Sequence, residues 1–326
     1  MRVVIIDENN FITYHITKFL INKKWKVKIL TNTINRNLYK DFSNIEIETV
    51  DFKNANDGKL ISLFKDYDYL LYGDSIDYNK TLKKPVINSL RIEIVEQTRR
   101  FIEIAKRAGI KKIVFLGSFY TYFDKTLPKL KLSKHHPLIK VRNEQLNLIL
   151  KYKNEIEIVN LEIPHLFGKG PVMEKTNSYI IEETLLSQAI FLPKGGSTFI
   201  TPNQLNKAIY GAFKYGENGC SYPLAGTNIT WEELIDIISK TAIQEQQIYT
   251  IPTKLAKVGM KKKLKNHKNH GLESVLNPIK YIDFQSRYTY IEKEISMDKL
   301  RYKAEDAKKA IKESVKQYLR KENKNE

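Results

Sequence analysis

Short apolar runs alternate with longer stretches of helical spacing through the first half of the chain. Val3 to Ile6 reads as a buried strand, and apolar positions at helical intervals follow from Phe11 to Lys23. Further strands are predicted at Val27 to Leu30, Ile45 to Val50 and Tyr69 to Tyr72. Ile92, Val95, Phe101, Ile102 and Ala105 form one helical stripe that stops at Ala108 and Gly109, after which Ile113 to Leu116 reads as a buried strand. A helix from about Pro137 to Tyr152 then leads into a strand from Ile156 to Leu161.

This rhythm predicts an α/β protein with a Rossmann-like, doubly wound parallel sheet, in which ligands sit beyond the carboxyl ends of the strands. Asp7, Gly73, Ser118 and Pro164 each follow a predicted strand end, so the register gathers them on one rim. After Gly168 the pattern loosens at Gly170, Pro171, Pro193, Gly195 and Gly196. Residues 1–165 are therefore expected to form the nucleotide-binding domain. Residues 166–326 are expected to form a smaller substrate lobe, with some segments returning to the sheet. In that lobe Thr230 and Glu233 have capping-box spacing before a helix through Ile238, and a last helix is expected from Ala304 to Leu319.

Composition narrows the setting. Cys220 is the lone cysteine, which rules out an internal disulfide and a cysteine-cluster metal site. The N-terminus turns polar at Asp7, too early for a signal-peptide core, and no run reaches the roughly 18 apolar residues of a membrane span. A cytoplasmic protein with no membrane partner is expected. Fifty-five basic against 37 acidic side chains leave a net charge of +18, but the excess is mostly lysine. Nucleic-acid binding is the minor expectation, and a solvated lysine surface the major one.

Several segments carry a family resemblance. The run Gly109 to Ser118 (GIKKIVFLGS) resembles the turn, strand and serine element of extended short-chain dehydrogenases/reductases. Leu161 to Gly168 (LEIPHLFG) is similar to their segment beside the nicotinamide, and Tyr222 to Trp231 to their substrate-lobe element. Gly117 to Phe123, His136-Pro137 and Glu162 to His165 look more like an atypical epimerase-like branch than the sugar epimerases. The resemblance implies NADP or NAD as cofactor, a small or nucleotide-linked substrate, an anionic one included, and a homodimer.

The motifs depart from the family where chemistry is concentrated. Its first turn carries three glycines, for tightness, for approach to the pyrophosphate and for helix packing. Asp7, Asn10 and Thr13 stand at those positions here, while Phe11 and Ile12 remain. Asn10 tolerates the turn, but Asp7 and Glu8 place carboxylates where phosphates would lie; as an alternative, Asp7 simply caps the helix. Strand two ends at Thr31 and Asn32 with no ribose-binding acid, and Arg36 beyond it leans toward a 2′-phosphate. Asp51 and Phe52 resemble the adenine-contacting pair, with a strand-end cap as the alternative. Gly73, Pro164, His165 and Leu166 complete the expected cofactor contacts.

Ser118 fills the catalytic serine position that the resemblance implies. For the family's tyrosine and lysine, four apart on one helical face, two registers exist: Leu138 with Arg142, or His136 with Lys140. Neither holds a tyrosine. Tyr120, Tyr122, His136 or His165 are the candidates for the missing acid or base. Phe167, Arg287 and Tyr288 are expected to meet substrate, with Arg287 and the neighbouring Lys261, Lys262 and Lys263 suited to an anion. The leading functional expectation is an NAD(P)-dependent epimerase/dehydratase-like or oxidoreductase-like protein. The alternative is a catalytically inactive relative that serves as a binding or regulatory module.

Overall fold

The computed structural model describes residues 1–6, 10–33, 36–43, 45–74 and 76–325, the side chains of 10, 36, 262, 263, 268 and 323–325 excepted. Seven parallel strands make the main sheet: β1 (Arg2–Ile6), β2 (Lys26–Thr31), β3 (Ile45–Thr49), β4 (Tyr69–Gly73), β5 (Lys112–Ser118), β6 (Glu157–Ile163) and β7 (Cys220–Pro223). Their spatial order is β7-β6-β5-β4-β1-β2-β3. The order reverses direction between β1 and β4, the switch point at which doubly wound sheets open a ligand crevice.

Period-two alternation sends successive side chains to opposite faces. Val3, Ile5, Val27, Ile29, Leu71 and Val114 pack under the helices Asn10–Asn22, Pro137–Lys151 and Pro202–Tyr215. Val4, Ile6, Leu30, Leu70, Ile113 and Phe115 pack under the helices Asp57–Phe64 and Gln97–Arg107. Gly109 adopts a φ of +83° just past the second of these helices, a left-handed stop that side chains resist.

A separate cluster holds the C-terminal part together. Phe167, Ile181, Phe199, Ile229, Leu234 and Ile311 are its centre. The strand Gly196–Ile200 pairs with Thr227–Thr230, Tyr288–Thr289 and His165–Leu166. β7, from beyond residue 166, adds to the main sheet beside β6, with Cys220 opposite Val159. The Thr230 half of the expected capping box forms, its side chain accepting from the Glu233 N–H at 3.0 Å, while the Glu233 carboxylate pairs with Lys308. The last helix begins later than its periodicity suggests, at Ala307, because the Asp306 carboxylate accepts the N–H groups of Lys308 (2.9 Å) and Lys309 (3.3 Å). The basic run after Lys261 continues the helix Thr253–Asn269. Among the described residues, no helix is long and apolar enough to cross a membrane.

A clasp ties the two parts together above the strand ends. After β4 the chain loops out, and Thr81–Lys83 pairs antiparallel with Leu272–Ser274. The Glu273 carboxylate accepts the Val86 N–H at 2.9 Å, and Leu138 N–H donates to the Val275 carbonyl at 3.0 Å. The loop between Gly73 and Thr81 is thereby laid across the end of β5.

Candidate active site

Gly73, Ser118 and Pro164 do come to one rim: Gly73 pairs with Leu116, and Ser118 with Ile163 immediately before Pro164. Asp7 and Glu8 lie outside the described residues, as do the side chains of Asn10, Arg36, Lys262 and Lys263.

Ser118 is 3% exposed. Its oxygen accepts from the Tyr120 N–H at 3.4 Å, and its carbonyl accepts from the Thr121 hydroxyl at 2.8 Å, so the short helix Tyr120–Thr126 springs directly from the strand end. The same Thr121 hydroxyl donates to the buried Glu162 carboxyl, whose pKa is raised by burial.

The helix Pro137–Lys151 decides between the two registers. His136 is its extended N-cap and Pro137 its first residue, where the missing N–H costs nothing. Leu138 is fully buried in the core, and Arg142, one turn on, is 4% exposed beneath the rim. Lys140 faces solvent. The pair His136 and Lys140 therefore splits between interior and surface, while Leu138 and Arg142 share the inward face.

Arg142 is heavily engaged. One terminal nitrogen donates to Asp74 at 2.6 Å and to Gln145 at 2.8 Å, and the other donates to the same Asp74 carboxylate. Gln145 in turn donates to Thr98 at 2.8 Å. Burial pulls the guanidinium pKa down, but the charge and hydrogen bonds of Asp74 outweigh it and raise the value. The Arg142 Nε, also buried, has no hydrogen-bond partner among the described residues. A lysine at this place would be a mobile point charge; Arg142 is a fixed one.

A residue that sequence reasoning missed completes this end. Tyr78, on the clasped loop, lies in the neighbourhood of Ser118, Arg142, Asp74 and Glu174. Its ring stands edge-on to Tyr120 with centroids 5.7 Å apart. Burial raises its pKa, with the charge of Arg142 pulling the other way. Glu174 caps the helix Lys175–Leu186 from the other lobe by accepting the Asn177 N–H at 3.0 Å. Burial nevertheless raises its carboxyl pKa above the ordinary value.

Of the other candidates for acid or base, Tyr120, His136 and His165 are held by neighbouring groups. Tyr120 is 2% exposed, and its hydroxyl lies 2.8 Å from that of Tyr281, with burial pushing its pKa well up. Tyr122 is raised by burial and by Glu162 and Glu292. His136 accepts the Asn277 N–H at Nδ1 (3.0 Å), and burial lowers it to about 4. It holds the start of the helix Pro278–Gln285 as a neutral ring. His165 stacks on Phe199 at 5.1 Å and meets Phe119 and Trp231 edge-on; burial lowers it to about 4.

The Asp51 side of the rim is different. Asp51 accepts from the Lys53 N–H at 3.0 Å and the Asn54 side chain at 2.7 Å, closing its own turn. Asn32 accepts the Phe52 N–H at 3.1 Å, Thr31 donates to the Thr33 carbonyl at 2.9 Å, and Phe52 is buried edge-on to Phe101. Phe11 is 1% exposed in the core, and Thr13 is equally buried. Leu166 gives its carbonyl to Asn177 at 2.7 Å, and Phe167 is buried in the second cluster. Arg287 and Tyr288 are exposed on the second lobe, where the Arg287 carbonyl accepts the Gly196 N–H.

Asp74 and Gln145 were within reach of sequence reasoning. Asp74 follows a strand end, and Gln145 sits three residues beyond Arg142 on one helical face. Tyr78 and Tyr281 belong to non-periodic loop and lobe segments whose position depends on the clasp.

The sheet order, the serine at the end of β5 and the returning β7 define the class: the chain has the fold of the NAD-dependent epimerases and dehydratases, the extended short-chain dehydrogenase/reductase architecture. Among solved structures it is similar to gox2253, with a TM-score of 0.78 at 16% identity over 98% of both chains. It is also similar to UDP-glucuronic acid 4-epimerase from Bacillus cereus in complex with NAD, with a TM-score of 0.70 at 13% identity over 98% of this chain and 99% of that one. The dTDP-glucose 4,6-dehydratase DesIV from Streptomyces venezuelae, with NAD bound, gives 0.67 at 12% identity over 98% and 97%. No family model and no curated protein matches the sequence.

Proposed function

We propose that the protein is an NAD(P)-dependent epimerase/dehydratase-like or oxidoreductase-like protein, cytoplasmic, that acts on the C–O centre of a small or nucleotide-linked substrate. The observation that carries this reading is the end of β5: a buried serine, with the guanidinium of Arg142 fixed by Asp74 on the inward face of the helix Pro137–Lys151. Solved neighbours of the same fold hold NAD, which supports a nicotinamide dinucleotide as the partner of that end.

The residues fit such a group unevenly. At the Ser118 end, hydroxyls and the unpartnered Arg142 Nε suit a polar ring and an oxygen-bearing substrate. At the adenosine end, Asp51, Asn32 and Thr31 already spend hydrogen bonds on nearby backbone, so grip there rests on backbone groups and apolar contact. When bound, a nicotinamide supplies or accepts a hydride. Ser118 then orients the substrate oxygen, Arg142 holds positive charge beneath it, and the clasped loop limits water at the site.

A second reading, a non-catalytic relative that binds without turnover, is favoured by Leu138 at the tyrosine position and by the self-satisfied adenosine edge. Calorimetry with NADP+, NADPH, NAD+ and NADH separates the two. Saturable heat with one of them supports the first reading, and silence at millimolar concentration supports the second.

A further inference from the structure

We propose that the outer face of the helix Thr253–Asn269 docks on an anionic bilayer surface. The inference concerns the surface of the second lobe and goes beyond the NAD(P)-dependent reading above.

The helix (TKLAKVGMKKKLKNHKN) carries seven lysines and no aspartate, glutamate or arginine. It is laid against the helix Pro278–Gln285 and the strand Leu272–Ser274, so that Ala256, Met260 and Leu264 turn inward and are partly buried. Lys254, Leu255, Val258, Lys261 and Lys265 are exposed, and helical spacing sets them on one outward face. Leu255 and Val258 are each more than half exposed beside these lysines. Lys257, nearer the protein, pairs with Asp283, the one acidic side chain of Pro278–Gln285. Lys254, Lys261 and Lys265 have no ion-pair partner among the described residues.

Further exposed apolar and basic groups flank the start of the helix. The strand Gln247–Ile251 reaches it through Pro252 and pairs with Ala189–Pro193, so that Tyr249 lies opposite Phe191. These two rings stack with centroids 5.2 Å apart, and both are exposed. The Thr253 hydroxyl donates to Ser286 at 3.0 Å, which brings the exposed Arg287 and Tyr288 to the same end.

A lysine run that served solubility alone would not leave large apolar side chains bare among its charges. Apolar groups rimmed by charge mark a docking surface. The chemistry of the rim selects the occupant. Lysine is a point charge on a flexible stem and can follow headgroups that move laterally; recognition of fixed phosphates or bases leans on the planar fork of arginine, which the helix lacks. Leucine and valine at the level of the lysine stems enter the headgroup region while the ammonium groups stay among the phosphates. Each lysine near such a surface raises binding about fivefold. No helix among the described residues is long and apolar enough to cross a bilayer, so the contact is with its surface. It departs from the sequence expectation of no membrane partner because that expectation rests on the length of apolar runs.

The test is co-sedimentation of the full chain with vesicles of phosphatidylcholine, alone or mixed with an equal part of phosphatidylserine. Binding to the mixed vesicles only, weakened by high salt, is expected; no binding, or equal binding to both, overturns the proposal whatever the variants do. Lys254→Gln, Lys261→Gln and Lys265→Gln together are expected to weaken partition about 100-fold. Leu255→Gln with Val258→Gln should weaken it about tenfold and leave the salt dependence unchanged. Wild-type partition in either set, with a wild-type circular dichroism spectrum, overturns the proposal. Random-sequence duplex DNA is the third arm: lysine-dependent binding to DNA without binding to the mixed vesicles assigns the face to nucleic acid and overturns the proposal. Dinucleotide calorimetry reads a different part of the molecule, so this proposal and the NAD(P)-dependent reading can each fail alone.

Discussion

The two edges of the ligand rim are built from similar residue types and use them in opposite ways. At the adenosine edge, Asp51, Asn32 and Thr31 hydrogen-bond to turns within their own neighbourhood, and Phe52 is packed away. At the Ser118 edge, Arg142 and Asp74 pair from separate elements, with Tyr78 and Glu174 in the same neighbourhood. Groups that close a turn stabilise the fold locally. Groups brought together from distant segments, with shifted pKa values and one unpartnered nitrogen, are what a reactive site requires.

The largest expected effect comes from breaking the second edge. Asp74→Ala leaves Arg142 as a buried, uncompensated charge, so urea unfolding should show a loss of about 3–5 kcal/mol. A loss near zero would mean that Arg142 finds another partner and that the pair does not organise this edge.

Acid sensitivity is the next effect. His15, His136 and His165 are each lowered by burial to about 4 from an ordinary 6.5. The unfolded chain binds more protons in that window, so the stability they provide is full above about pH 6.5 and is lost as pH falls toward 4. Each ring contributes on the order of 2–3 kcal/mol. Glu162 and Glu174, raised by burial, act in the opposite sense. The clean reading is therefore the difference between wild type and His136→Gln, whose stability should fall less steeply across this range. Parallel curves would show that His136 is not held neutral.

Leu138→Tyr tests whether the familiar hydroxyl could return. Leu138 is fully buried, so the larger ring should overpack the core and cost about 1–3 kcal/mol, with no gain in turnover of phenanthrenequinone. A gain would place the acid on the helix Pro137–Lys151. Asp51→Ala should have the smallest effect, a slight loosening of an exposed turn with dinucleotide affinity unchanged. A large loss of affinity would restore Asp51 to the adenine role.

Much of this arrangement is legible in the sequence. The parallel sheet follows from apolar runs whose alternate residues face two helical layers, and Ser118 follows from its place at a strand end. The register of the helix Pro137–Lys151 resists reading because both alignments place good helix formers at inward spacing. Only burial shows that Lys140 looks outward and Arg142 inward. Tyr78 was not legible at all. Its position depends on Thr81–Lys83 pairing with Leu272–Ser274, a contact across nearly two hundred residues that no local pattern announces.

The central claim is that the Ser118 edge serves a bound dinucleotide even though the adenosine edge has spent its polar groups on itself. Titration calorimetry of the wild-type protein with NADP+, NADPH, NAD+ and NADH in turn is its most direct test. Saturable heat with at least one of them, retained in Asp51→Ala, is the predicted result; no heat from any of the four at millimolar concentration would contradict it.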